Sequence, residues 1–201
     1  SLGNFIKHLD PNKNVLLKSD IDRINDLFKT YIIDIKNTSN AIFKFTNTIY
    51  RYRLNQIDSF LDIKKSKELI FNQLSEPPLP SWYNEHHSTS TNELSLRWNK
   101  QLHYDLLSDL FYPIDSLPDF NPTEIDYYPN KQKSIDKATY RLKQIIKEKK
   151  EYKGGIEELI QSCFLNAIST SNDPHSNYFT KEDLISFEEN VSKEKLSFGL
   201  T

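Results

Sequence analysis

With 201 residues, a formal net charge of −2 and four glycines, the chain is long enough for one large domain with a real core. It is too poor in glycine for phosphate-cradling loops or dinucleotide-binding turns, which need residues at ease with positive φ. The near-neutral charge supplies no global field for nucleic acid, and no run approaches the roughly 18 apolar residues of a membrane span.

Ser1-Leu2-Gly3 does not open a signal peptide, and the absence of any Met leads us to expect a fragment or a processed chain. Ser19 before Asp20 and Asp22 predicts an N-cap with first-turn acids, and Ile21, Ile24, Phe28, Tyr31, Ile32 and Ile35 follow at helical spacing. Asn37-Thr38-Ser39-Asn40 predicts a turn. Beyond it Ile42, Phe45, Ile49, Tyr52 and Phe60 share one side, with Arg51, Arg53 and Asp58 largely elsewhere, giving a helical hairpin over 20–36 and 40–62. The prolines of Glu76 to Ser81 and the polar run Asn84 to Asn92 predict an internal break at about 75–92.

A third helix carries Leu94, Trp98, Leu102, Leu106 and Leu110 at steps of four. Tyr112 to Pro129 holds four of the nine prolines and reads as a loop laid along the body. Lys131 to Lys150 is helical through Ile135, Ala138, Leu142, Ile145 and Ile146, and Gly154-Gly155 stops one helix and starts the next. Ile156, Leu159, Ile160, Cys163, Phe164 and Ala167 mark a helix ending near Ser169, followed by a turn at Asn172-Asp173-Pro174-His175. Thr180 with Glu182 and Asp183 caps a last helix to about Val191. The fold class is all-α: an irregular multi-helix domain of about six to seven helices with long Pro-rich loops.

Few residue groupings invite chemistry. Asp173-Pro174-His175-Ser176 offers a carboxylate, an imidazole and a hydroxyl, but sequence neighbours in one turn rarely converge as nucleophile, base and orienter, so the structural reading is preferred. His86, His87 and His103, with Glu85 or Glu93, lack the spacing of a zinc site. Tyr50-Arg51-Tyr52-Arg53 mixes stacking and phosphate-contacting residue types. On an amphipathic helix it reads as tyrosine at a core boundary with arginine stems reaching outward, and nucleic-acid binding is not expected. Cys163, alone and in an apolar run, reads as a buried inert thiol. No cofactor and no metal site is expected.

One resemblance goes further. Ser171-Asn172-Asp173-Pro174-His175-Ser176-Asn177-Tyr178-Phe179-Thr180, with Phe187-Glu188 and Leu196-Ser197-Phe198-Gly199-Leu200 beyond it, resembles the segment just upstream of the PDZ domain in tail-specific, or C-terminal processing, proteases. Leu9-Asp10-Pro11 with Val15-Leu16-Leu17-Lys18-Ser19-Asp20-Ile21 is similar to that family's opening. Leu79-Pro80-Ser81-Trp82, Asn92-Glu93-Leu94 with Trp98, and Tyr140-Arg141-Leu142 resemble its middle stretches. Phe198-Gly199-Leu200 departs from the usual Glu-Gly-Ile-Gly run.

The resemblance implies an N-terminal helical domain over 1–195, with 196–201 the start of a following PDZ domain. It implies a Ser/Lys-dyad protease of the bacterial periplasm or cell envelope whose catalytic residues lie outside this chain. Asp173, Pro174, His175, Ser176, Tyr178 and Phe179 would then form a structural linker motif. The implied partners are unfolded or C-terminally exposed protein substrates, an adaptor protein, and the protein's own PDZ and catalytic domains. A stand-alone helical interaction module is the alternative.

Overall fold

A computed structural model describes residues 2–33, 35–66, 86–111, 131–180, 184–185 and 187–188. Among these residues the chain forms six helices and no strand: α1 (Leu2–Leu9), α2 (Lys18–Ile33), α3 (Ile35–Ser66), α4 (Thr91–Phe111), α5 (Lys131–Lys150) and α6 (Gly155–Asn172). The all-α expectation holds. At about 1.5 Å per residue α3 is about 48 Å long. It is the spine of the bundle: α2, α5 and α6 pack along it, α4 lies against α5, and α1 lies on α6.

The N-terminal helix is not legible in the sequence. Eight residues with a glycine near the start make a marginal helix on their own. Phe5, Ile6 and Leu9 fall on one face and are buried, so packing on α6 supplies what propensity does not. Asn4 Nδ2 donates to Ser171 Oγ at 3.1 Å across the same contact.

The α2–α3 hairpin is present, but its turn is not where the polar run predicts it. Helix α2 ends at Ile33, α3 begins at Ile35, and Asn37–Asn40 lies inside α3. Asn, Thr and Ser cost at most about 0.7 kcal/mol each in a helix interior, too little to break one held by the burial of Ile42, Tyr50 and Leu54 further along. The start of α2 also differs. Leu17, not Ser19, occupies the N-cap position, its carbonyl accepting from the N–H groups of Asp20 and Ile21 at 3.1 and 3.2 Å. Asp20 serves the cap from the third helical position, Oδ2 accepting from the Leu17 N–H at 2.9 Å.

The register of α3 needs correction too. Tyr50, Leu54, Ile57 and Leu61 are buried, while Tyr52, expected on the apolar side, is 53% exposed. Phe45, Ile49 and Phe60 are partly buried against the core.

Ser90 caps α4: its Oγ accepts from the Glu93 N–H at 3.2 Å, and Glu93 Oε2 reaches back to the N–H and hydroxyl of Thr89 at 2.7 and 2.8 Å. The described end of the predicted break, 86–90, is non-helical as expected. Residues 67–85 and the Pro-rich 112–130 lie outside the described residues.

Four rings lock four helices together. Phe5 of α1, Phe28 of α2 and Phe164 of α6 stand 5.9 Å apart pairwise, and Phe43 of α3 meets Phe164 edge-on at 5.2 Å. From α5, Ile135, Ala138, Leu142 and Ile146 enter the core, whereas Ile145 is partly exposed. Gly154 (φ +84°) and Gly155 (φ +81°) take the left-handed turn between α5 and α6. α6 runs one turn past the predicted Ser169, and the carbonyl of Ser169 accepts from the Asp173 N–H at 3.0 Å. Beyond it Leu184, Ile185, Phe187 and Glu188 are helical, and the Leu184 N–H reaches the Thr180 carbonyl at 2.9 Å. The rest of that predicted helix, and residues 189–201, lie outside the described residues.

Candidate functional site

The family-like segments at 9–21 and 92–98, far apart in sequence, meet at one polar junction. Asp10 ends α1 and is fully buried. Its Oδ1 accepts from the Asn14 N–H at 3.0 Å, and its Oδ2 from the N–H groups of Val15 and Leu16 at 3.1 and 2.9 Å. A run such as Val15-Leu16-Leu17 is thereby buried with its backbone satisfied, although it forms neither helix nor strand.

From α4 two side chains clamp the same loop. The Arg97 guanidinium donates to the carbonyls of Lys13 and His86, and Trp98 Nε1 donates to the Asn14 carbonyl at 2.6 Å. From α3, Arg53 grips Asp20 through two parallel bonds, Nε to Oδ2 at 2.8 Å and the second guanidinium nitrogen to Oδ1 at 2.9 Å. Tyr50 donates its hydroxyl to the Leu9 carbonyl at 3.1 Å. Burial first, with the nearby Asp10 and Cys163, raises the Tyr50 phenol well above its ordinary range.

Arg53 and Tyr50 therefore turn inward, against the expectation of outward arginine stems and boundary tyrosine. The periodicity held a signal. Arg53 falls beside Tyr50, Leu54 and Ile57 in the apolar register, and a charge there requires a carboxylate partner. That partner lies 33 residues away, where helix-period reasoning does not reach.

The Asp173–Phe179 motif closes α6. The Asp173 backbone is extended (φ −142°, ψ 120°), and its carboxylate accepts from the His175 N–H at 3.0 Å and the Ser176 hydroxyl at 2.9 Å. The Ser176 N–H returns to the Asp173 carbonyl at 3.0 Å, with Pro174 and His175 as the central residues of the turn. The backbone hydrogen bond from His175, then the hydroxyl of Ser176, hold the Asp173 carboxyl below its usual range. The Ser176 proton thus goes to Asp173 and not to the imidazole, which is the wrong order for an activated nucleophile. The Tyr178 N–H is tied to Asn166 Oδ1 at 2.8 Å, and the Phe179 and Phe187 rings stand 5.5 Å apart, both partly exposed.

Among the described residues, no group of three or more His, Cys, Asp or Glu side chains could hold a metal ion, and no helix is long and apolar enough to cross a membrane. His87 faces Asp10 and is separate from any such cluster. Cys163 is buried and its thiol is pushed up to about 11 by burial, with Lys149 opposing. A groove of about 440 Å³ runs between α3 and α4, walled by Tyr52, Phe60, Ile63, Leu94 and Trp98 with the amides of Asn55 and Gln56 at its edge.

Comparison with known proteins agrees with this picture. No curated protein and no solved structure matches the chain. The family described as the tail specific protease N-terminal domain matches residues 1–182, almost the whole of the described structure. Of the segments that resemble that family, 9–21 and 92–98 meet at the Asp10 junction and 171–180 forms the turn at the end of α6, and the chain belongs to the family of tail-specific protease N-terminal domains.

Proposed function

We propose that this chain is a non-catalytic wall of a periplasmic C-terminal processing serine endopeptidase. The helical domain would span 1–195, with a PDZ domain opening at 196–201 and the Ser/Lys dyad carried elsewhere in the protein. The observation that supports this reading is how the motif residues are used. Asp10, Asp20, Arg53, Arg97 and Trp98 fasten loops to helices, and Asp173, Pro174, His175, Ser176, Tyr178 and Phe179 serve as a turn that leads the chain out of α6. A protease that acts on exposed C-termini of unfolded chains must keep its catalytic groups from folded bystanders, and a rigid helical wall does so without chemistry of its own.

Within this reading the groove between α3 and α4 is the docking surface for an unfolded polypeptide substrate or a protein adaptor. Its walls are aromatic and aliphatic, its edge carries neutral amides, and Tyr52 and Ile63 stand half-exposed at its rim. The test has two arms. The 201-residue chain is incubated with an unfolded, C-terminally tagged substrate, and no hydrolysis is expected; cleavage that disappears on Ser176→Ala or His175→Ala would sink the non-catalytic reading. In the full protease, Tyr52→Ala with Ile63→Ser should weaken substrate or adaptor binding several-fold, with turnover of a short peptide unchanged.

A further inference from the structure

Three links hold segment 86–88 to loop 10–17 and the start of α2. The Lys18 N–H donates to the Ser88 carbonyl at 2.9 Å, and Arg97 bridges the carbonyls of His86 and Lys13. The third link is of a different kind: His87 Nε2 faces Asp10 Oδ2 at 3.6 Å. That nitrogen is shut off from water and has no hydrogen-bond partner among the described residues. The oxygen it faces is beyond hydrogen-bonding distance and already accepts the N–H groups of Val15 and Leu16. A buried polar atom left unpaired in a native fold requires an explanation.

The charges around the ring supply one. Asp10 and Lys13 face it from the loop, Lys18 from α2 and Arg97 from α4. Asp20, whose carboxylate caps the Leu17 N–H at the end of the same loop, is neutralised by Arg53. Among the described residues, three cations thus act on the ring against one carboxylate, whose oxygens accept three backbone N–H groups. A proton on Nε2 would bring charge into a dry seat whose facing carboxylate, 3.6 Å away, is already engaged by three backbone N–H groups. Burial, the largest influence, pushes His87 below its ordinary range. Asp10 opposes, and Lys13, Arg97 and Lys18 push the same way as burial.

We propose that His87 is a proton-operated latch: neutral, it lets segment 86–88 seat against the Asp10 loop, and protonated, it opens that seat while the helical core stays folded. The latch is independent of the proteolysis reading. The opened form binds the proton more tightly than the seated one, so the seat is intact above the ordinary histidine range near 6.5 and loosens as pH falls below it.

Two measurements on the full chain test this. In the first, the His87 ring is titrated by NMR. A midpoint below 6.5 is expected, and one at or above 6.5 would mean that Asp10 draws the proton in and tightens the seat, overturning the proposal. In the second, amide hydrogen exchange at Val15, Leu16 and Lys18 is compared at pH 7.5 and 5.5 after correction for intrinsic rates. Opening should increase about fivefold in the wild type for one pH unit of displacement and level off at about tenfold for larger ones, because an open histidine near 6.5 gains no more than that between the two pH values. It should stay flat in His87→Gln. Wild-type protection that does not change between the two pH values, or an equal change in His87→Gln, refutes the latch. Should His87→Gln not fold, the titration and the wild-type exchange decide.

Discussion

Arg53 and Asp20 meet side-on in the interior, two parallel bonds of 2.8 and 2.9 Å joining the middle of α3 to the first turn of α2. The same Asp20 oxygen that accepts from Arg53 Nε also caps the Leu17 N–H. One carboxylate therefore sets where α2 begins and how α2 sits on α3. Removing one member of a buried pair leaves the other uncompensated, at about 3–5 kcal/mol. Arg53→Met should cost that much in urea unfolding at pH 7, and Arg53→Met with Asp20→Leu clearly less than the sum of the single changes. A loss under about 1 kcal/mol for Arg53→Met would show that the pair is ornamental.

The turn between α5 and α6 distinguishes two neighbouring glycines. A Cβ at Gly154 would stand 2.8 Å from Glu158 Cβ, whereas one at Gly155 meets nothing within 4 Å. Both positions have left-handed φ, which costs an L-residue about 1–2 kcal/mol. Gly155→Ala should lower stability by about that amount, and Gly154→Ala by more, because backbone strain and collision add. Thermal melts of the two variants should rank in that order; equal melting temperatures would contradict the geometry.

Asp58 links α3 to α5 through Lys150 Nζ at 2.6 Å and Lys143 Nζ at 3.4 Å. Burial pushes its carboxyl up, but the hydrogen bond and charge of Lys150, with those of Lys143, outweigh burial and hold it below the usual carboxylate range. Because the folded state binds this proton less tightly than the unfolded chain, the stabilisation is present above about pH 4 and is lost as pH falls through the folded value. Asp58→Asn should therefore narrow the stability gap between pH 6 and pH 3, by less than about 1 kcal/mol because the pairs are partly solvated. Denaturation midpoints at the two pH values check it.

Cys163 offers a chemical probe of the core. With the thiol at about 11 and the side chain buried between α6 and its neighbours, almost no thiolate exists at pH 8. A disulfide-exchange reagent should leave the native chain unlabelled for many minutes and label it fully in denaturant. Rapid native labelling would mean that α6 opens locally.

Much of the architecture was legible in the sequence. The steps of four from Leu94 to Leu106, the run through Ile135, Leu142 and Ile146, and the glycine pair at 154–155 each specify a helix or its end by local rules, and the described structure follows them. The Asp173 turn was legible for the same reason, since Asx-Pro turns are built from neighbouring atoms. Most of the misreadings share one cause. Helix α1 and the burial of Arg53 and Tyr50 depend on partners tens of residues away, which no window of one or two turns contains. The capping of α2 from Asp20 is instead a local contact three residues long, hidden because Ser19 offers an equally local alternative.

The sequence by itself therefore determined an all-α domain, the positions of most of its helices and, through its motifs, its kinship with tail-specific proteases. Periodicity and turn chemistry act over a few residues and can be read locally. Only the tertiary structure decided that Asp10, Asp20, Arg53, Arg97 and Trp98 form one junction, and that His87 is seated against it without a hydrogen bond. Such contacts bury charge and polar atoms, so they are stable only where chain segments remote in sequence supply the matching groups at hydrogen-bond distance.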